Sequence, residues 1–172
     1  MTTPLALLVF DDGHVFRGRP WGATGRAVGS MVINTSISGY QTAVTDPKNA
    51  GSLLVMTSPH VGNVGVHDAD AASDRCHASG IIVREPARLA SNWQSSGEFE
   101  PLLVTGGVVG ICRVDTRAIT QLVVAHPQIR AGIFSGDALP ESVVDLNPTT
   151  PLPHSVVDTL TSYVRSEQQE TR

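Results

Sequence analysis

Residues 108–126 read VVGICRVDTRAITQLVVAH, and two different periodicities meet inside this run. From Val108 to Val114 the residues are apolar and mostly β-branched, over a length that suits a buried strand. Asp115 then offers a side-chain oxygen to the free N–H groups of a starting helix. Beyond it Ala118, Ile119, Leu122 and Val123 recur at helical spacing, so one apolar face is predicted as far as about His126. A strand feeding straight into an amphipathic helix marks a mixed α/β chain. Towards the N-terminus, GIIVR (Gly80–Arg84), LLVMT (Leu53–Thr57) and MVINT (Met31–Thr35) read as further buried strands. Ala6–Phe10, Asp11-Asp12-Gly13 and His14–Gly18 read as strand, turn and strand, the Asp-Gly pair supplying the positive φ of a tight hairpin. Gly18, Gly22, Gly25 and Gly29 punctuate an expected loop. SISGYQTAVTDP (residues 36–47) reads as a polar, glycine-containing stretch.

Towards the C-terminus, Ala131–Phe134 is a last expected strand. Four prolines between Asp137 and Pro153 mark a linker. Ser155–Arg165 fits a final helix, with Val156, Leu160, Tyr163 and Val164 on one stripe. The expected organisation is a domain over residues 1–136, followed by a Pro-rich linker and C-terminal helix extension over 137–172. Strands outnumber helices, so the class is α/β mixed, with short strands and few covering helices.

The chain has 172 residues, 41% of them hydrophobic and 16% charged, which is enough to bury one core without metals or disulfides. No apolar run reaches the roughly 18 residues of a membrane helix. Leu5–Phe10 is too short, and lacks the basic flank, for a secretory signal. With only Cys76 and Cys112 present, a reducing, cytoplasmic setting is expected. The net charge of −4 argues against nucleic-acid and anionic-membrane partners. The glycine spacing gives no G-x-G-x-x-G and no G-K-S/T follows, so no nucleotide cofactor is expected.

The polar residues leave several readings open. Cys112 lies in an apolar strand and reads as a core residue; Cys76 has His77 beside it, but catalytic pairs are made in space. His60 lies in the loop PHVGNVG, where its ring either serves a ligand or holds the loop by bonding a carbonyl. Asp46, before Pro47, reads as a turn cap. Asp115, Thr116 and Arg117 suggest either an anion site at a helix N-terminus or a cap with Arg117 paired to an acid. Asn34, Tyr40 and Gln41 either line a pocket or satisfy buried backbone groups. His67, Asp68 and Asp70 lack a further ligand at metal spacing, so no metal is expected.

Six collinear runs carry a resemblance: ALLVFDDGHVFRGRPWGATGRAVG, MVINTSISGYQTAVTDP, SPHVGNVGVHDAD, GIIVREP, SNW and GICRVDTRAITQLV. Over roughly Leu5 to Phe134 the chain resembles the N-terminal domain of the small, glutamine-handling subunit of carbamoyl-phosphate synthetase, without the amidotransferase domain. The resemblance implies a compact β/β/α domain of swivelling type. In that family the domain packs against a class I glutamine amidotransferase domain and the large synthetase subunit. Where the family has Glu, this chain has Ser30 and Thr42; where it has a Ser that reaches bound glutamine across the domain boundary, it has Lys48. Basic family positions are Gln121 and Val124 here. These differences imply weakened contact with a bacterial large subunit.

Two functions follow. One is an interaction or scaffold domain for a synthetase or amidotransferase partner, or for a second copy of itself, without glutaminase activity. The other is a small-molecule-binding enzyme recruited to specialised metabolism, a general acid/base catalyst or cyclase, with His60, Tyr40, Asp46 and Lys48 as candidate catalytic residues. Met1 and a polar tail lead to the expectation of a short intact protein rather than an excised domain.

Overall fold

A computed structural model describes residues 4–87, 96–144, 146–147 and 149–167; the SNW run lies outside them. The elements follow one another as β1 (Ala6–Phe10), β2 (Val15–Gly22), β3 (Arg26–Asn34), α1 (Tyr40–Thr45), β4 (Leu53–Met56) and β5 (His60–Val61). Then come β6 (Gly80–Ile82), β7 (Glu85–Pro86), α2 (Phe99–Thr105), β8 (Val109–Cys112) and α3 (Thr116–Ala125). Strand β9 (Arg130–Ser135), α4 (Glu141–Val144) and α5 (His154–Ser166) complete the chain.

Seven strands close a barrel in the order β1-β2-β8-β6-β4-β3-β9, with β9 pairing back onto β1. The contacts of β1 with β2 and β9, of β2 with β8 and of β3 with β9 are antiparallel. Strands β3, β4, β6 and β8 pair in parallel. A closed sheet has no exposed edge through which to aggregate. The short β5 and β7 form a separate parallel pair.

Side chains alternate along each strand, so both faces must find cover. On β1, Ala6, Leu8 and Phe10 join Leu53, Val55, Ile82, Ile111 and Ile133 in the barrel interior. Leu7 and Val9 pack on the other side against Val156, Leu160 and Val164 of α5. All five β1 residues are fully buried, which is why this strand reads as an unbroken apolar run and not as an alternation. Leu54, Ile81 and Cys112 face a second outer layer made by Tyr40, Ala43 and Val44 of α1 and Phe99 and Leu103 of α2. Helix α3 sends Ile119 and Val123 into the interior cluster. The mixed α/β class with short strands and few helices is what the chain adopts.

Three expectations need correction. Gly18 and Gly22 belong to β2 and Gly29 to β3, so the expected glycine loop is mostly strand. At Gly18 the reason is close approach: a Cβ there would collide with the Cys112 carbonyl oxygen and lie 2.8 Å from Ile111 Cγ1. Residues 36–47 are not irregular throughout but contain α1, entered through Gly39 at φ 85°. Its Thr and Val residues are weak helix formers, and burial overrides their propensity. Helix α2 has no counterpart among the expected elements. On either side of Pro140, Leu139 and Val143 are buried with α5 over the barrel wall. Among the described residues no helix is long and apolar enough to cross a membrane.

Candidate functional site

Helix α1 and the loop that follows β5 hold the densest set of polar side chains singled out from the sequence. The backbone N–H groups of Val64 and Gly65 donate to Tyr40 Oη at 2.7 and 3.1 Å. His67 N–H donates to Gln41 Oε1 at 2.8 Å. Thr45 Oγ1 donates to the Gln41 carbonyl at 2.8 Å and accepts from Ala72 N–H at 2.9 Å. Thr42 Oγ1 donates to the Asp70 carbonyl at 2.6 Å, and Ser73 Oγ to that of Thr45 at 2.7 Å. Tyr40, Gln41 and Thr45 are buried. The loop has little regular structure to satisfy its own amides, and α1 supplies the missing partners. Burial pushes the Tyr40 phenol above its ordinary range, outweighing the Val64 and Gly65 N–H bonds that pull it down. It stays protonated at neutral pH, which suits an acceptor and positioner better than a base.

The other candidates lie apart from this clamp. Asp46 accepts from Lys48 N–H at 2.9 Å and caps the 3-10 turn Pro47–Asn49. Lys48 is exposed and makes no ion pair among the described residues. His60 is exposed on β5; its carbonyl accepts from Ser58 Oγ at 3.1 Å. The His60 ring makes no hydrogen bond among the described residues, so it does not hold the loop in the way expected. Apart from the Asp46 carboxylate accepting from Lys48 N–H, no hydrogen bond or ion pair among the described residues joins His60, Tyr40, Asp46 and Lys48 to one another through their side chains. Asn34 Oδ1 accepts from Ser36 N–H at 2.9 Å and shapes a turn. His67 Nδ1 accepts from Ala69 N–H at 3.1 Å, and no metal-binding group of three or more His, Cys, Asp or Glu occurs among the described residues.

Neither thiol is activated. The His77 ring bonds Ser73 Oγ at 3.1 Å rather than Cys76, whose thiol is pushed up by burial. Burial pushes Cys112 up to about 11, against a smaller opposing pull from Arg113. Nucleophilic catalysis by cysteine needs the opposite shift and an adjacent base.

A cleft of about 420 Å³ opens beside the clamp, lined by Gln41, Thr45, Asp68, Ser73, Asp74 and Arg75. Another, of about 520 Å³, lies between Arg84, Glu85, Arg113, Asp115 and Arg117. Asp115 caps α3 as expected, accepting from Arg117 N–H at 3.1 Å and Ala118 N–H at 3.0 Å. Arg117 pairs with no acid among the described residues; the ion pair in this cleft is Arg113 with Glu85, at 3.7 Å. Arg84 and Arg113 escape sequence reasoning because they lie 29 positions apart; the parallel pairing of β6 with β8 and the Arg113 N–H to Arg84 carbonyl bond of 2.9 Å bring them together. Ser30, Thr42, Lys48, Gln121 and Val124 are all exposed.

The architecture and the clamp define a small α/β barrel domain whose most distinctive polar residues brace its own loops. The chain belongs to the carbamoyl-phosphate synthase small chain family: the profile of that family's CPSase domain matches residues 8–133. The carbamoyl phosphate synthase small chain of Streptomyces coelicolor is 48% identical over 136 residues, covering 79% of this chain and 36% of that one. The small chain of Mycobacterium leprae is 40% identical over 165 residues, covering 95% and 41%. The chain therefore spans well under half the length of these relatives, on their N-terminal side as the matching motifs run. A solved aminopeptidase from Aneurinibacillus sp. strain AM-1 overlaps 78% of this chain and 31% of its own at 17% identity, with a TM-score of 0.44, too slight a likeness to bear on function.

Proposed function

We propose that this chain is an interaction domain, a cytoplasmic scaffold that docks a synthetase large subunit or an amidotransferase and has no glutaminase activity of its own. The observation that carries this reading is the α1 clamp. Tyr40, Gln41 and Thr45 are buried and committed to loop amides, so the central signature organises a surface rather than a reaction centre. The swivelling-type β/β/α description and the division at residue 136 are parts of the same reading.

The five departures bear on the strength of docking. Ser30, Thr42, Gln121 and Val124 lack charges expected from the family and Lys48 adds one, all on the surface. Complementary charge sets specificity at interfaces, so each mismatch weakens a contact made to the standard partner. The test is calorimetric titration of the purified chain against a bacterial large subunit and a class I amidotransferase. Binding weaker than about 1 µM, corresponding to about −8 kcal/mol, is expected for the large subunit. No heat with either protein, together with a thermal shift produced by a small metabolite, would replace docking by the recruited acid/base catalyst or cyclase.

A further inference from the structure

Five of the eleven arginines converge on one end of the barrel of an otherwise acidic chain. Arg17 and Arg19 lie two residues apart on β2, and so on one side of it. Arg19 stands opposite Cys112, where β8 ends. Arg113 follows at once, and Arg84 comes just after β6, its carbonyl accepting from Arg113 N–H. Arg117 sits in the first turn of α3. The cleft of about 520 Å³ and a smaller one of about 170 Å³ share Arg113, so the five form one continuous band.

Two of these cations are held where local structure disfavours them. Arg113 is the one described non-glycine residue with a positive φ, at 62°. That left-handed conformation is unfavourable for a long side chain, and such outliers concentrate at functional positions. Arg117 places its charge at the positive end of the α3 dipole. Arg19, Arg84, Arg113 and Arg117 are exposed, and the pair between Arg113 and Glu85 is long and solvent-accessible.

We infer that this arginine band is a docking surface for a carboxylate-rich face of a partner protein. Guanidinium groups match carboxylates through paired N–H donors, which lysine cannot do. The same chemistry would take phosphates, but three features favour protein. Glu85 and Asp115 lie within the band, Leu5 and Leu146 flank Arg17 and Arg19 as apolar contacts, and the chain carries a net charge of −4. A mixed rim with apolar ground suits a protein surface, and the chain's net negative charge works against a long phosphate polymer. This deepens the docking reading and rests on it for the identity of the partner.

The test uses the whole chain and a fluorescein-labelled 20-residue poly-glutamate peptide, read by anisotropy at 50 and 200 mM salt. The wild type is expected to bind, more weakly at the higher salt, and Arg84→Glu/Arg117→Glu to lose at least tenfold in affinity. Arg75→Glu, beside the other cleft, should bind as the wild type does. Arg113→Gly should also weaken binding while keeping or raising Tm, because glycine relieves the positive φ; a merely structural arginine would lower Tm. Equal affinity for wild type and double variant would overturn the assignment, as would preference for a 20-base-pair DNA duplex over the peptide. Peptide binding lost in the double variant stands even where neither the large subunit nor the amidotransferase binds. The two readings can therefore fail separately.

Discussion

Cys112 is small enough to pass unnoticed in the run GICRV, yet its position controls what its thiol can do. Pairing with β2 turns it outward from the barrel, into the layer formed by Trp21, Leu103 and Val108. In that apolar setting the thiolate is disfavoured, and the thiol titrates at about 11 instead of the usual 9.0. Below pH 9 both folded and unfolded chains keep this proton and stability is undiminished. Between pH 9 and 11 the unfolded chain binds fewer protons than the folded one, so stability falls as pH rises, by about 1–3 kcal/mol at one pKa unit per 1.36 kcal/mol. Thermal melts at pH 8, 9.5 and 11 should show a steeper alkaline decline for the wild type than for Cys112→Ala. Parallel declines would mean that the thiol is not buried as described. The sequence reads Cys112 as a core residue because its neighbours in the strand are apolar, and it is buried.

At the scale of the element, α1 is the instructive case. Six residues cannot sustain a helix alone, since nucleation is costly and few hydrogen bonds follow it. Its stability comes from packing Tyr40, Ala43 and Val44 against β4 and its neighbours, with the Tyr40 and Phe99 rings 4.6 Å apart. In return its side chains satisfy loop amides from Val64 to Ala72. Replacing Tyr40 by Phe keeps the ring and leaves the Val64 and Gly65 N–H groups without their acceptor, at a cost of about 1–3 kcal/mol. Urea denaturation should register that loss, and hydrogen exchange should accelerate at residues 62–73 while β4 stays protected. Unchanged exchange at Val64 and Gly65 would show that the clamp does not hold the loop. Asn34, Tyr40 and Gln41 were legible as polar residues with either a pocket or a backbone to serve. Asn34 serves its own turn, whereas the role of Tyr40 and Gln41 depends on a loop more than 20 residues further along.

For the molecule as a whole, the C-terminal segment decides whether the barrel is covered. Leu7, Val9 and Phe134 are buried to within 2% of complete, and their outer cover is Leu139, Val143, Val156, Leu160 and Val164. Each such side chain contributes about 1.5–3 kcal/mol when buried, so their combined loss rivals the 5–15 kcal/mol that stabilises a typical domain. A chain ending at Gly136 is therefore expected to lose its cooperative melt and to bind a hydrophobic dye. A melt within a few degrees of the full chain would make residues 137–172 a dispensable appendage. The prolines suggest a linker, but Leu139 and Val143, on either side of Pro140, fasten the segment to the wall.

The sequence by itself determined what is local. Apolar runs marked the strands, Asp-Gly marked the first hairpin, and Asp115 with its following stripe marked α3; the ordered motifs carried the family. These signals lie within a few residues of one another, where periodicity, capping and φ preference act. Barrel closure through β1 and β9, the switch between parallel and antiparallel neighbours and the convergence of five arginines were decided only by tertiary structure. The pairing of Ala6 with Ser135 joins residues at opposite ends of the barrel chain, and nothing in either neighbourhood records the other. Strand order is chosen by which apolar faces can be buried together, a property of the assembled layers and not of any one segment.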